Sequence, residues 1–286
     1  MTPKVLGINI DPLTKQKVLE RIQNFVASGF PHQIATVNPE FLLEAQKNKN
    51  FRRTLKETEL KVSDGAGIQL AANFENCRFP SWPPVRILMG ALYGLGLGLR
   101  ALFFRSSLKK PVPEIITGVD LVDSLGDMAA KFGWRIFLLG GEKKVAKETA
   151  LALINKYPSL VVVGAEEGIA HNSKLDWLHP NETIQALIAK IKTLKPHILL
   201  VALGAPKQDI FINMYKKDLG VPVMMGVGGA FDFISGRIKR APKLMRIVGL
   251  EWLWRLTIEP WRYKRIIKAV IVFPWKVFWE KMHTPN

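Results

Sequence analysis

Residues 197–217 read HILLVALGAPKQDIFINMYKK. His197–Ala202 (HILLVA) is a short, almost wholly apolar run; Gly204-Ala205-Pro206 breaks it, and a helical pattern follows from about Gln208 to Lys217. A strand without polar alternation is buried on both faces, as in a parallel sheet with helices on either side. The unit repeats in both directions along the chain. Arg135–Leu139 (RIFLL) leads through Gly140-Gly141 to a helix from about Lys143 to Lys156, and Gln33–Val37 leads through Asn38-Pro39 to one from about Glu40 to Asn48. Leu60–Ser63 ends at Asp64-Gly65, Val223–Val227 ends at Gly228-Gly229, and Leu160–Gly164 is a further short strand. The predicted fold class is α/β, a mainly parallel sheet flanked by helices. Ligands bind such sheets beyond the carboxyl ends of the strands, where every polar motif of this chain falls.

The chain has 286 residues, of which 48% are hydrophobic, enough for a large core and too apolar for disorder. Its single cysteine, Cys77, excludes an internal disulfide framework and a multi-cysteine zinc site. Lys and Arg outnumber Asp and Glu by 41 to 24, giving +17 and pointing to an anionic partner. The excess is localised. Residues 237–286 hold 12 basic and 3 acidic groups, residues 78–110 hold 6 and none, and the rest of the chain is close to neutral. We therefore expect an α/β body over 1–236, carrying an apolar basic insert at about 78–110, and a basic helical appendage over 237–286.

Both basic segments are also greasy. Ile87–Leu99 (ILMGALYGLGLGL) has no charge, is too short to span a bilayer, and places Gly90, Gly94 and Gly98 on one helical strip suited to close packing. The appendage contains five of the eight tryptophans. Tryptophan mixed with Lys and Arg is the composition of a segment lying on an anionic membrane surface; the alternative is a core helix with a solvated basic face. The N-terminal MTPKVLGINI lacks the regions of a signal peptide.

Thr36 and Asn38, in TVNPE, offer hydroxyl and amide groups for a sugar or base, or else cap the helix that follows. Asp64, in SDGAG, is placed to act as a general base or to open a turn. The glycine turns holding Gly140, Gly204 and Gly229 resemble diphosphate cradles but match neither a Walker A loop nor G-x-G-x-x-G. His32, His171, His179, His197 and His283 show no metal-ligand spacing, so no metal and no cofactor is expected. No G-x-S-x-G elbow is present. Arg255, Arg262 and Arg265 share one helical face if Pro260 leaves the helix unbent, and three guanidiniums there suit a diphosphate.

Taken together, TVNPEFLLEAQKN (36–48), SDGAGI (63–68), ITGVDLV (116–122), FLLGGEKKVA (137–146), GAPKQDIFI (204–212) and the long stretch 226–265 resemble the WecG/TagA/CpsF family, glycosyltransferase family 26. The resemblance implies a Rossmann-like, membrane-associated, metal-independent, inverting transferase, which we expect to work peripherally at the cytoplasmic face of the cell membrane. Such an enzyme moves an N-acetylmannosamine-type hexose from a UDP-sugar donor to a polyprenyl-diphosphate-linked acceptor. By motif it makes Asp64 the base, Thr36, Asn38 and Gln208 pocket residues, and Arg255, Arg262 and Arg265 the appendage arginines closing over the donor. A homo-oligomer is compatible with it. Two departures stand out: Ile115 occupies the place of an arginine usual before T-G, and the 78–110 insert replaces a short connection. The competing reading is a membrane-surface or nucleic-acid-binding α/β protein without transferase activity. Confinement of the charge to apolar segments argues against a nucleic-acid partner.

Overall fold

The computed structural model describes residues 2–103, 108, 110–168 and 181–284. His171 and His179 lie outside them, as do Phe104, Arg105 and Lys109 of the insert.

A small antiparallel pair, β1 (Lys4–Val5) and β2 (Ile8–Asn9), leads into α1 (Lys15–Ser28). The Thr14 hydroxyl caps α1 by accepting from Lys17 N–H, and its buried face is Val18, Ile22 and Phe25, the i, i+4, i+7 stripe of an amphipathic helix. Then follow β3 (His32–Val37), α2 (Pro39–Lys47), α3 (Lys49–Glu57), β4 (Leu60–Ser63), α4 (Ala66–Glu75) and the insert helix α5 (Pro83–Phe103). The second half comprises α6 (Gly118–Phe132), β5 (Arg135–Gly140), α7 (Val145–Lys156), β6 (Val161–Glu166), α8 (Glu182–Leu194), β7 (Ile198–Ala202), α9 (Lys207–Leu219), β8 (Val223–Gly226) and α10 (Ala230–Ile234).

Strands β3 to β8 form one parallel sheet in the order β4-β3-β8-β7-β5-β6 among the described residues. The central strands are buried along their whole length, which is why they read as unbroken apolar runs. One face packs on α1, α6, α7 and α10 through Ile22, Leu121, Leu125, Leu153 and Phe231. The other packs on α2, α3 and α4 through Phe41, Phe51 and Ile68, and on α8 and α9 through Ile191 and Phe211. The expected α/β class and flanked sheet are observed; strand ends move by a residue or two, and β6 runs on to Glu166.

The C-terminal region contains α11 (Lys243–Val248), α12 (Glu251–Ile258), a 3-10 turn at Pro260–Arg262, α13 (Tyr263–Ile267), a π-helical turn at Lys268–Val272 and α14 (Phe273–His283). It folds back across the body, with Phe273, Val277 and Met282 buried in the same core as α4. Here the single-helix expectation for the arginines is corrected. Proline disfavours helical geometry at the residue before it, and Glu259 is accordingly extended (φ −126°, ψ 68°), so the helix stops at Ile258 and restarts beyond Pro260. Within the insert, residues 83–103 form one continuous helix, α5. Gly90 packs on Met282 and Phe278, and Gly94 on Phe74, while Gly98 faces open space. No helix among the described residues is long and apolar enough to cross a membrane.

Candidate functional site

A cleft of about 940 Å³ opens at the carboxyl ends of the strands. Its floor is built by two adjacent strand ends. The Asp64 N–H donates to Val37 O (2.8 Å), and Ile116 N–H donates to Ser63 O (2.9 Å), tying the exits of β3 and β4 to the start of α6. Gly65, at φ +96°, turns the chain into α4. A Cβ at Gly67 would strike Pro39 at 2.8 Å and reach Phe273 at 3.8 Å, so this glycine lets α2, α4 and the C-terminal segment meet beneath the cleft.

Asp64 is half-buried on that floor. Burial pushes its carboxyl up to about 7, and the negative charges of Glu251 and Asp120 add to this; the Gly118 N–H it accepts from and the Arg255 cation pull the other way. A carboxylate so tuned is a far better proton acceptor near neutrality than a solvated one of pKa ~3.9.

Thr36, Asn38, Gln208, Gly204, Gly229, Arg255, Arg262 and Arg265 all line the same cleft as Asp64. Three of the expected residues also do local structural work. Asn38 Oδ1 caps α2 by accepting from Phe41 N–H (3.0 Å), leaving its amide NH2 for a ligand. Gln208 is buried, and its Oε1 accepts from Gly228 N–H (2.9 Å), holding the glycine turn after β8. Gly140 is not among the lining residues: it marks the close approach of β5 to β7, where a Cβ would stand 2.5 Å from Ala202 O, and Gly141 and Glu142 line the cleft instead. The Gly141 and Gly228 amides are already engaged, by Ala202 O and Gln208, so neither of these two N–H groups is free for a ligand.

The arginines approach from the C-terminal segment. Glu259, only 7% exposed, accepts from Arg255 Nε and NH2 (3.1 and 2.9 Å) and pairs with Arg262 Nε (2.9 Å). Arg255 also lies over the Phe233 ring, and Arg265 pairs with Glu40 at 2.7 Å. Burial, and then the neighbouring Arg255 and Arg265, lower the proton affinity of Arg262. Crowded guanidiniums of this kind gain by receiving an anion.

Sequence reasoning missed Glu251, Glu259 and Arg240. Arg240 NH1 pairs with Asp120 (2.7 Å), its NH2 donates to Thr117 Oγ1 (3.2 Å), and its Nε lies 3.9 Å from Glu251. It therefore ties the N-terminus of α6, beside Asp64, to α12. In the sequence these residues are ordinary charges in a basic segment, and nothing marks their partners.

Fold and site together define a class: an α/β protein with a cleft beyond the ends of parallel strands, a half-buried carboxylate on its floor and guanidiniums on its rim. The model of the WecG/TagA/CpsF glycosyl transferase family matches residues 3–94 and 85–286. The chain is 30% identical over 235 residues to N-acetylglucosaminyldiphosphoundecaprenol N-acetyl-beta-D-mannosaminyltransferase of Bacillus subtilis, covering 82% of this chain and 74% of that one. It is 26% identical over 275 residues to the Staphylococcus aureus (strain NCTC 8325) protein of the same name, covering 96% and 91%. The chain belongs to the WecG/TagA/CpsF glycosyltransferase family, as its motifs suggested.

Proposed function

We propose that the protein is an inverting hexosyltransferase that needs no metal. It moves an N-acetylmannosamine-type hexose from a UDP-sugar to a polyprenyl-diphosphate-linked sugar during surface polysaccharide or wall polymer synthesis. It works peripherally at the cytoplasmic face of the membrane. The acceptor class follows the names of the two relatives. The observation that carries the reading is that Asp64 and the arginines at 255, 262 and 265, separated by some two hundred residues of chain, line a single cleft.

The chemistry follows from that arrangement. The acceptor hydroxyl attacks the anomeric carbon while Asp64 takes its proton. The bond from the anomeric carbon to the UDP oxygen breaks on the opposite face, and the charge gathering on the diphosphate is met by the arginines. One displacement with one base inverts the anomeric centre. Thr36 and the Asn38 amide are placed to bind the sugar or base, and the cleft volume suits a nucleotide sugar.

The test is a screen of UDP-sugars against short-chain lipid-diphosphate sugars, with Asp64→Asn as control. Transfer by the wild type and its loss in the variant support the reading. No turnover of any nucleotide sugar, or full activity of the variant, refutes it.

A further inference from the structure

Helix α5 is apolar on the side turned away from the protein. Its inward face begins at Arg86, which is buried and donates to the carbonyl oxygens of Lys281 (2.8 Å) and Thr284, at the end of α14. Gly90 and Leu97 continue this packed face, with Gly90 so close to Met282 that a Cβ would stand 2.7 Å from its sulfur. The outward face is Leu88, Leu92, Leu95 and Leu99, one stripe at helical spacing, each between 52% and 65% exposed. Beside it, α14 and the π-helical turn before it turn Ile271, Trp275 and Trp279 outward. A water-facing helix carries charge on this side; this one carries leucine.

We propose that the outer faces of α5 and α14 form one monotopic membrane-insertion surface, occupied by an anionic bilayer. Three observations select lipid. The segment from Arg78 to Lys110 has no acidic residue and its Arg78, Arg100 and Lys110 are exposed, while exposed Lys268 and Lys276 outnumber Glu280 along α14 and the turn before it, so the apolar stripe has a cationic setting. Those same cations would oppose one another across a contact between two copies of the chain. Finally, the surface is continuous with the cleft, because Lys268 and Val272 line the cleft one turn from exposed Ile271 and Trp275. α5 lies lengthwise on the body and does not project from it, so it enters the interface sideways. Arg86 fastens it to the end of α14, so that seating the insert also seats the segment bearing the arginines. The inference rests on the transferase reading for the meaning of that cleft, and is tested apart from it.

The full chain is floated with vesicles of phosphatidylcholine containing about one third phosphatidylglycerol, alongside the triple variant Leu88→Glu, Leu92→Glu, Leu95→Glu. The wild type is expected to float, and the variant to bind at least about tenfold more weakly while keeping its circular dichroism and its transfer to a water-soluble acceptor. Equal flotation overturns the proposal. So does a wild-type dimer that the variant splits without change in flotation, since the surface then belongs to a second copy. Should the triple variant misfold, a nitroxide on Leu95→Cys in a Cys77→Ser chain decides: vesicles must raise its access to oxygen over a water-soluble nickel chelate, and an unchanged ratio overturns the idea. A wild type that floats but transfers nothing leaves this inference standing and removes the transferase reading.

Discussion

Arg240 NH1 meets Asp120 Oδ1 at 2.7 Å, joining the C-terminal region to the first turn of α6. The same first turn is capped by Thr117, which Arg240 also reaches, and its Gly118 N–H is the one Asp64 accepts from. Burial works against the Asp120 charge, but hydrogen bonds from Arg240 and Thr117 hold its carboxyl below the usual range. Removing Arg240 leaves that carboxylate to solvent and to the Thr117 hydroxyl. Arg240→Ala should cost about 0.5–1 kcal/mol in urea unfolding and lower kcat through loss of the α6 anchor on Asp64. A variant with unchanged stability and unchanged kcat would show that the contact couples nothing.

Asp64 should impose its own titration on the reaction. With its carboxyl pushed up to about 7 by burial and then by Glu251, kcat/KM should rise tenfold per pH unit below that value and level off above it. Glu251→Gln removes a negative neighbour, so the break must move to lower pH. Asp64→Asn should lose on the order of 10²–10⁴ in kcat with little change in donor KM. A pH profile that is flat through this region, or that Glu251→Gln moves upward, contradicts the assignment of Asp64 as base.

The rim can be tested separately from the base. Arg262 is held by Glu259 at 2.9 Å and crowded by Arg255 and Arg265. Arg262→Ala should weaken UDP binding by about 1–3 kcal/mol, and Arg262→Lys should restore only part, because an ammonium lacks the planar fork that spans two phosphate oxygens. Calorimetry with UDP measures both. Full restoration by lysine would mean the site needs only charge.

The part of this site that a reader of the sequence could find is the part set by local rules. Strands such as Ile198–Ala202 announce themselves because burial on both faces forces an unbroken apolar run; Thr36, Asn38 and Asp64, which line the cleft, could be singled out because they sit at the ends of such runs, whereas Gln208 was singled out only through the family motif. Pro260 was visible too, but not the direction the chain takes after it. What stayed hidden is tertiary. Arg240 finds Asp120 across 120 residues of sequence, and Arg86, in an apolar segment, reads as an interfacial charge when it is in fact buried against α14. Gly140 shows the converse: a glycine turn at a strand end looks like a ligand cradle, but its sequence does not reveal the packing need it also meets, a Cβ there standing 2.5 Å from Ala202 O.

Asp209 yields a prediction on stability. Its side chain is fully buried, both carboxyl oxygens lack a hydrogen-bond partner among the described residues, and a Cβ at Gly226 would come within 2.9 Å of one of them. Burial pushes its carboxyl up to about 7, which the adjacent Gln208 amide and its own backbone N–H only partly offset. An unfolded aspartate has pKa ~3.9, so the folded chain retains a proton that the unfolded chain gives up between roughly pH 4 and 7. Its contribution is therefore complete below that window, falls as pH rises through it, and is constant above. Asp64 and Glu75, both pushed up to about 7, act in the same sense, while His197, lowered by burial and by Arg135, acts in the opposite one. Asp209→Asn preserves shape and has no proton to lose, and every other titrating group is common to both proteins. Urea midpoints taken from about pH 5 to about pH 8 should fall more gently for the variant, leaving it the more stable protein at the alkaline end. Parallel curves would mean that Asp209 is ionised in the folded chain and that its surroundings supply a counter-charge.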